Sequence, residues 1–366
     1  STFVNNTAGS EGAGINIGKG SSVSVDGCNF TGNKANNIGG GLYIHMDMSD
    51  VTTTNSNFNN NSAKNGGGGL FINSNANNVV ITDSDFNSND ASNGGGGAIY
   101  VLSPSGTTDI DNCNFNLNEA SGNGGAIYVH DTDDKVTISQ STFNKNKASN
   151  GGAVISDNGA GSVDVLYSTF DNNSASNYGG AIYTQISYNI SPSNTFSKNS
   201  AKRGGAITLN GGDSTVNRAI FTNNTATGDG QAIYAAAGTN TISDSTFEGK
   251  NHIFIENAAE VTLRSLNEIN PQNSDYSVDN NGKLSLYENH FNNTIINKGI
   301  IKTHVNVTIR ENKTYTCDDY FFPLNATIVD DENNIIASYS FNFTSEWGDS
   351  IPASDDVKHE ASLRAL

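Results

Sequence analysis

The chain has 366 residues, of which 35% are hydrophobic and 15% charged, and its formal net charge is −18. Because phosphate binding needs a basic surface and no Arg precedes Arg203, these numbers exclude nucleic-acid binding and argue against docking on anionic lipid. With 39 Gly and many Asn and Ser, the composition suits either a disordered chain or a solenoid whose coils each bury a thin core.

A sequence repeat favours the solenoid over a disordered chain. Its marker is a Phe that recurs every 25 to 29 residues, at Phe3, Phe30, Phe58, Phe86, Phe115, Phe143, Phe170, Phe196, Phe221 and Phe247. The first nine begin the pattern F-x-x-N-x-A, followed by a Gly-Gly turn, an aliphatic-aromatic strand, a variable polar loop and a second strand. Short strands at this period, without helical periodicity, predict a right-handed parallel β-helix of about ten to twelve coils.

The alternation of side chains along a strand predicts which of them face the inside of the coil. The second slot after each Gly-Gly pair is aliphatic, as at Leu70 and Ile127, and we expect it to face inward opposite the Phe residues. The repeated Asn, as at Asn118, is expected to bond backbone groups inside a turn. Cys28 and Cys113 occupy one register position and are interpreted as small structural residues.

The third slot of the Gly-Gly strand is therefore expected to face outward. It holds an aromatic stripe of Tyr43, Phe71, Tyr100, Tyr128, Tyr183 and Tyr234. Two interpretations are open: an exposed stripe that stacks sugar rings or anchors a protein partner, or aromatics that only stabilise the sheet. In the same register Arg203 aligns with Tyr178 and Asp229, which predicts a surface ion pair.

Acidic residues give a second candidate site. Asp131, Asp133 and Asp134 share one variable loop, where carboxylates could converge on a calcium ion. Enzymes of the β-helix type that act on polysaccharides combine acids with cationic residues on one face, and the first 202 residues here contain no Arg. The prediction is therefore a non-catalytic protein without a required cofactor.

The β-helix is predicted to cover residues 1–294, with regular coils to about residue 247 and degenerate terminal coils over 248–294. Residues 295–345 alternate with period two and predict a partial immunoglobulin-like β module, and 346–366 read as a polar tail. No apolar run approaches the length of a membrane span, so no direct membrane insertion is expected.

The motif F-x-x-N followed by G-G-[AG]-[ILV]-[YF] resembles the repeats of chlamydial polymorphic outer-membrane proteins. With the segments 292–301 and 304–309, it is similar to the adhesin-like surface proteins of methanogenic archaea, in which β-helix and immunoglobulin-like modules follow one another. The resemblance implies an extracellular, cell-surface location.

The function predicted from these features is a non-catalytic cell-surface adhesin or binding scaffold, with a cell-surface glycan or a surface protein of another cell as partner. A polysaccharide lyase or hydrolase and a structural spacer of the cell envelope are the alternatives. Asn-x-Ser/Thr sequons occur repeatedly, among them those at Asn5, Asn60, Asn172 and Asn223, and they imply glycosylation only in an exported protein.

Overall fold

The computed structural model describes residues 1–340 except 19, 21, 46–49, 74–77, 103–105, 132, 134, 160, 250–252, 270–275, 288–293, 304–306, 311–324 and 330–334. Over residues 1–303 the described part is an all-β, right-handed parallel β-helix, as the repeat predicts. Each regular coil contributes short strands to four columns, and each column pairs in parallel with the coils before and after it.

The column that carries the repeated Phe is called the Phe sheet. Its strands are Thr2–Val4, Asn29–Thr31, Asn57–Asn59, Asp85–Asn87, Asn114–Asn116, Thr142–Asn144, Thr169–Asp171, Thr195–Ser197, Ile220–Thr222, Thr246–Glu248 and Asn267–Ile269. The Ala sheet follows it in each coil. Its strands are Thr7–Ala8, Lys34–Ala35, Ser62–Ala63, Asp90–Ala91, Glu119–Ala120, Lys147–Asn150, Ser174–Tyr178, Ser200–Ala201 and Thr225–Ala226.

The third column, the Gly-Gly sheet, follows the glycine turn. Its strands are Ile15–Ile17, Leu42–Ile44, Leu70–Ile72, Ile99–Leu102, Ile127–His130, Val154–Asp157, Ile182–Thr184, Ile207–Asn210, Ile253–Ile255, Tyr276–Asn280 and Thr294–Asn297. The return sheet leads back to the next Phe. It holds Ser22–Asp26, Asp50–Thr54, Asn78–Thr82, Thr107–Asp111, Lys135–Ser139, Ser162–Leu166, Ser187–Ile190, Thr215–Asn217, Ala259–Arg264, Lys283–Tyr287 and Ile300–Thr303. The strand Ile233–Ser243 runs through both columns.

The core is a stack of like side chains. Neighbouring Phe rings from Phe3 to Phe247 are stacked with centroids 4.6–5.1 Å apart. The aliphatic second slot, represented by Leu70 and Ile127, is fully buried against them. Both inward assignments are confirmed, and each buried side chain contributes about 1.5–3 kcal/mol to folding.

A ladder of buried Asn side chains closes the turn after the Phe strand. Asn118 is representative: its Nδ2 donates to Oδ1 of Asn146 on the next coil (3.0 Å) and to the Phe86 carbonyl on the coil before (2.9 Å). Its Oδ1 accepts from the backbone N–H and the Nδ2 of Asn89, both at 3.0 Å. One side chain thus satisfies buried polar groups on three successive coils, as the repeat predicts.

Left-handed backbone makes the corners sharp. The corner before the Phe sheet has positive φ at Gly27, Asn55, Asp83, Asn112, Gln140, Tyr167, Ser193, Arg218, Asp244 and Ser265. The corner before the Gly-Gly sheet uses glycine in the nine coils from Gly12 to Gly230, as at Gly124 (φ 64°). A β-carbon there would lie 2.2 Å from the Ile127 carbonyl oxygen, so this corner is crowded as well as left-handed.

The C-terminal part departs from the predicted boundary at 294. The strands Thr294–Asn297 and Ile300–Thr303 pair in parallel with the preceding coil, so the solenoid continues to Thr303. Beyond it, Val307–Arg310, Asn325–Val329 and Ile335–Ser340 form a three-stranded sheet with one parallel and one antiparallel pairing. The immunoglobulin-like module at 295–345 stays a prediction, and the tail at 346–366 lies outside the described residues. In the part of the chain that is described, no helix is long and apolar enough to cross a membrane.

Candidate binding site over the Gly-Gly sheet

The aromatic stripe forms a row along the outer side of the Gly-Gly sheet. Tyr43, Phe71, Tyr100 and Tyr128 are direct register partners on successive coils. Their ring centroids lie 5.8, 4.7 and 4.7 Å apart in that order. The rings lie on the side of the sheet that faces away from the Phe core. Tyr128 and Tyr183 pack with Ile155 in a separate cluster that is not part of the core cluster. The predicted order and direction of the stripe are therefore confirmed.

The predicted exposure of the stripe is wrong. Tyr43 is only 2% exposed, Tyr128 9% and Tyr183 7%, and Phe71 and Tyr234 are buried too, while Tyr100 is half-buried. The glycine-rich segment that precedes each Gly-Gly strand covers the rings. A β-carbon at Gly95 would lie 2.3 Å from Cδ1 of Tyr128, and one at Gly66 would lie 3.5 Å from Cγ of Tyr100. The flat, open aromatic platform expected for sugar stacking does not exist along most of the row.

The row is interrupted first by Ile155, between Tyr128 and Tyr183, and again where Thr208 takes the third slot between Tyr183 and Tyr234. Tyr178, from the covering segment, fills this second gap, with its ring 5.6 Å from Tyr183 and 6.4 Å from Tyr234. The guanidinium of Arg203 lies over the Tyr234 ring at 5.4 Å. Aromatic contact is therefore maintained across the interruption by a residue from another segment.

Arg203 pairs as its register predicts. Its backbone is the bridge partner of Tyr178, and its Nε lies 3.6 Å from Oδ2 of Asp229. Both charged side chains are more than a third exposed, at 37% and 38%. At this exposure the ion pair is worth at most about 1 kcal/mol, and the contact of the Arg203 guanidinium with the Tyr234 ring contributes about 0.5–1 kcal/mol.

A second row of polar side chains holds the tyrosine hydroxyls. It consists of Asn73, His130, Asp157, Gln185, Asn210 and Glu256. Asn210 donates to the hydroxyl of Tyr183 at 2.7 Å, and the hydroxyl of Tyr234 donates to Glu256 at 2.5 Å. This hydroxyl-binding row was missed at the sequence level, although its members follow the third slot by two residues and thus face the same side.

Tyr128, His130 and Asp157 form the tightest group in that row. The Tyr128 hydroxyl donates to Oδ2 of Asp157 at 2.8 Å, and Nδ1 of His130 lies 2.6 Å from Oδ1 of Asp157. Burial, followed by the Asp157 carboxylate, raises the pKa of Tyr128 well above its usual range. The phenol therefore stays protonated and acts as a hydrogen-bond donor that helps fix the carboxylate.

A cavity of about 380 Å³ opens beside the second interruption in the row. It is lined by Tyr178, Tyr183, Asn210, Tyr234, Ala236, Glu256, Asn257 and Ala258. Three tyrosine rings supply apolar surface, while an amide and a carboxylate supply a donor and an acceptor. Binding sites for small polar molecules commonly combine these elements.

A larger cavity of about 590 Å³ lies against the Ala sheet. Its lining includes Lys34, Lys64 and Asp90 but no aromatic side chain. Burial, followed by Glu119, raises the pKa of Asp90. Without a ring to stack on, this cavity is the weaker candidate for saccharide binding.

Of the three acidic residues in the predicted calcium loop, the structure describes Asp131 and Asp133. Both are exposed, and Asp134 lies outside the described residues. Over the described residues, no group of three or more His, Cys, Asp or Glu side chains is suitably placed for a metal ion. Asp83 and Asp85, two acidic residues on an earlier coil, accept hydrogen bonds from Asn112 (2.6 Å) and Asn114 (2.8 Å) on the coil that follows them. The calcium site remains a prediction.

Comparison with known families agrees with the repeat. Residues 1–115 match the family model of the right-handed β-helix region. Residues 112–130 and 167–185 match the chlamydial polymorphic membrane protein repeat. No match was found among curated proteins or among solved structures. The chain is thus similar to parallel β-helix proteins whose repeats are related to those of the polymorphic membrane proteins.

Proposed function

We propose that the chain is a non-catalytic, adhesin-like scaffold of a cell surface, and that it binds a saccharide of another cell in the cavity bounded by Tyr178, Tyr183 and Tyr234. The kinship of its repeats to those of polymorphic membrane proteins supports the surface location. The finer resemblance to adhesin-like proteins of methanogenic archaea, and the immunoglobulin-like module at 295–345, belong to this proposal.

The observation that carries the proposal is the cavity, which brings three tyrosine rings together with Asn210 and Glu256. Aromatic rings pack on the apolar face of a sugar, and amide and carboxylate groups bond its hydroxyls. Tyr183 and Tyr234 are nearly buried, like most of the aromatic row, and the half-buried Tyr178 supplies the most accessible ring of the cavity. Binding along the whole stripe is therefore replaced in this proposal by binding at the cavity beside Thr208. The rigid stacking of coils holds the lining residues in place before a ligand arrives.

The test applies the full chain to an array of neutral and acidic oligosaccharides and compares Asn210→Ala with Asn73→Ala. Both substitutions remove an amide that bonds a tyrosine hydroxyl, but only Asn210 lines the cavity. We expect Asn210→Ala to weaken saccharide binding about tenfold, equivalent to about 1.4 kcal/mol, and Asn73→Ala to leave it unchanged.

Two results would overturn the proposal. One is no saccharide bound by the unmodified chain, which favours the structural spacer. The other is release of new reducing or unsaturated ends from a bound saccharide, which favours the polysaccharide-active enzyme. Equal saccharide binding by both variants and the unmodified chain would contradict the placement of the binding site in the cavity.

A further inference from the structure

The corner between the Phe sheet and the Ala sheet carries a pattern that folding alone does not require. Its left-handed residues are Asn5, Gly32, Asn60, Ser88, Leu117, Lys145, Asn172, Lys198, Asn223 and Gly249. Positive φ explains why Gly or Asn is frequent, yet Leu117 and Lys145 occupy the same position. The corner therefore accepts many side chains, and requirements other than folding can determine which residue occupies it.

Where this corner is Asn, the residue two positions later carries a hydroxyl. The four pairs are Asn5 with Thr7, Asn60 with Ser62, Asn172 with Ser174, and Asn223 with Thr225. In coils with another corner residue that position holds Lys34, Asp90, Glu119, Lys147 or Ser200. The residue in between belongs to the Asn ladder and is buried in three of the four pairs, at Asn61, Asn173 and Asn224, so only the two outer residues vary. Their joint occurrence completes Asn-x-Ser/Thr sequons on one edge of the rod.

The four corner asparagines are accessible. All four are exposed, whereas the ladder residues next to three of them, Asn61, Asn173 and Asn224, are fully buried. Two of the four also face a glycine at the next corner: a β-carbon at Gly32 would lie 2.3 Å from Oδ1 of Asn5, and Gly249 is similarly close to Asn223. An attached group at this corner extends into solvent without disturbing the ladder.

We propose that Asn5, Asn60, Asn172 and Asn223 are N-glycosylation sites, which place oligosaccharides along the edge between the Phe and Ala sheets. The inference rests on the proposed surface location, since the modification requires export. With coils about 4.8 Å apart, the first two sites are about 10 Å apart along the rod, and so are the last two. The edge does not include the residues that line the tyrosine cavity, so the saccharide-binding surface stays uncovered.

The modification is a transfer from a lipid-phosphate-linked oligosaccharide, catalysed by a transferase of the producing cell. A bond forms between Nδ2 of the asparagine and the anomeric carbon, and the bond from that carbon to the phosphate oxygen breaks. The lipid phosphate leaves with the electron pair of that bond, and the proton lost by the amide passes to solvent or a base. No oxidant or reductant is needed.

Glycopeptide mass spectrometry of the protein isolated from the cells that produce it tests the proposal. We expect saccharide on all four asparagines, and its loss from Asn60 in Ser62→Ala. Lys198→Asn completes a sequon with Ser200 and should gain a glycan. The matched control Lys145→Asn is at an equivalent corner but is followed two residues later by Lys147, and should gain none.

Unmodified asparagines at all four positions, in protein recovered outside the cell, would overturn this inference and leave the proposed function untouched. The sequon Asn29-Phe30-Thr31 lies on the flat of the Phe sheet, where Asn29 bonds Asn57, and modification of Asn29 alone would also overturn the inference. Protein found only inside the cell would contradict both proposals. A glycosylated chain that binds no saccharide would contradict the proposed function alone.

Discussion

Gly95 lies directly against the ring of Tyr128 on the next coil, so close that a β-carbon at position 95 would lie 2.3 Å from Cδ1 of the tyrosine. The same hypothetical atom would lie 2.6 Å from the Asn123 carbonyl oxygen. The glycine is thus required by close packing from two sides, and its absence of a side chain is what lets the covering segment close over the aromatic row.

Gly95→Ala should therefore destabilise the rod by about 1–3 kcal/mol, the usual cost of overpacking a tight contact. The free energy of unfolding from denaturant titration measures the effect. Gly9→Ala is the matched control, because nothing lies within 4 Å of a β-carbon at Gly9. Equal stability of the two variants would mean that the covering segment yields easily.

Asn118→Ala should be among the most damaging substitutions of a polar residue. It leaves the Phe86 carbonyl and the Asn89 N–H without their partners inside the rod, and each orphaned group costs about 1–3 kcal/mol. Denaturant unfolding at neutral pH measures the loss.

Asn116→Ala provides the control for residue type. Asn116 also bonds an Asn on the next coil, Asn144 at 2.9 Å, but it lies on the half-exposed side of the Phe sheet, where water replaces the bond. We expect a loss below about 1 kcal/mol there. Similar losses at 116 and 118 would contradict the importance of burial in the ladder.

The buried tyrosines should make the rod sensitive to alkali. Burial, and to a lesser degree Asp157, raises the pKa of Tyr100 from 10 to about 12. Its folded-state pKa is the higher one, so its contribution to stability is complete below about pH 10 and is lost as the pH rises toward 12. The slope approaches about 1.4 kcal/mol per pH unit for each such group.

Tyr100→Phe removes this ionisable group, and Phe71 shows that the slot accepts phenylalanine. The variant should match the unmodified chain at pH 7 and lose less stability between pH 10 and 12. Denaturant midpoints across this range measure it. Tyr167→Phe, at a tyrosine that is 58% exposed, should leave the pH dependence unchanged.

Cys113 should be inert to thiol reagents in the folded chain. It is fully buried, its Sγ lies 3.2 Å from the Asp111 carbonyl oxygen, and burial raises the pKa of its thiol to about 12. Single-cysteine chains retaining only Cys113 or only the half-buried Cys28 can be compared by labelling rate. We expect Cys113 to react at least roughly 100-fold more slowly, and equally fast in denaturant, because thiolate fraction and access control the rate. Comparable native rates would mean that this coil opens readily.

The core of the rod could be predicted from the sequence because it depends on period and alternation alone. Phe86, Asn89 and Ile99 follow one another within one repeat, and their inward direction follows from the geometry of a strand or of its turn. The covering of the aromatic row could not be predicted in this way, because it depends on the path of the segment between the Ala and Gly-Gly sheets.

The sequence nevertheless contains traces of that covering. Gly66 and Gly95 are additional to the glycines that every coil has, and both lie beside large rings. Tyr178 takes the equivalent position in the coil before Thr208, a coil that lacks a ring. At these three positions the covering residue is small where the neighbouring slot is large, and large where it is small. This relation becomes readable only after the coils are aligned in register.

The Asn ladder also gives the rod a polarity. From Asn33 to Asn199, each Nδ2 donates toward the C-terminal neighbour, and no bond between ladder side chains is reversed among those described. The amide dipoles therefore add in one direction and reinforce one another along the axis. Each ladder side chain therefore offers a donor to the following coil and an acceptor to the preceding one. The N-terminal and C-terminal directions along the rod are consequently chemically distinct.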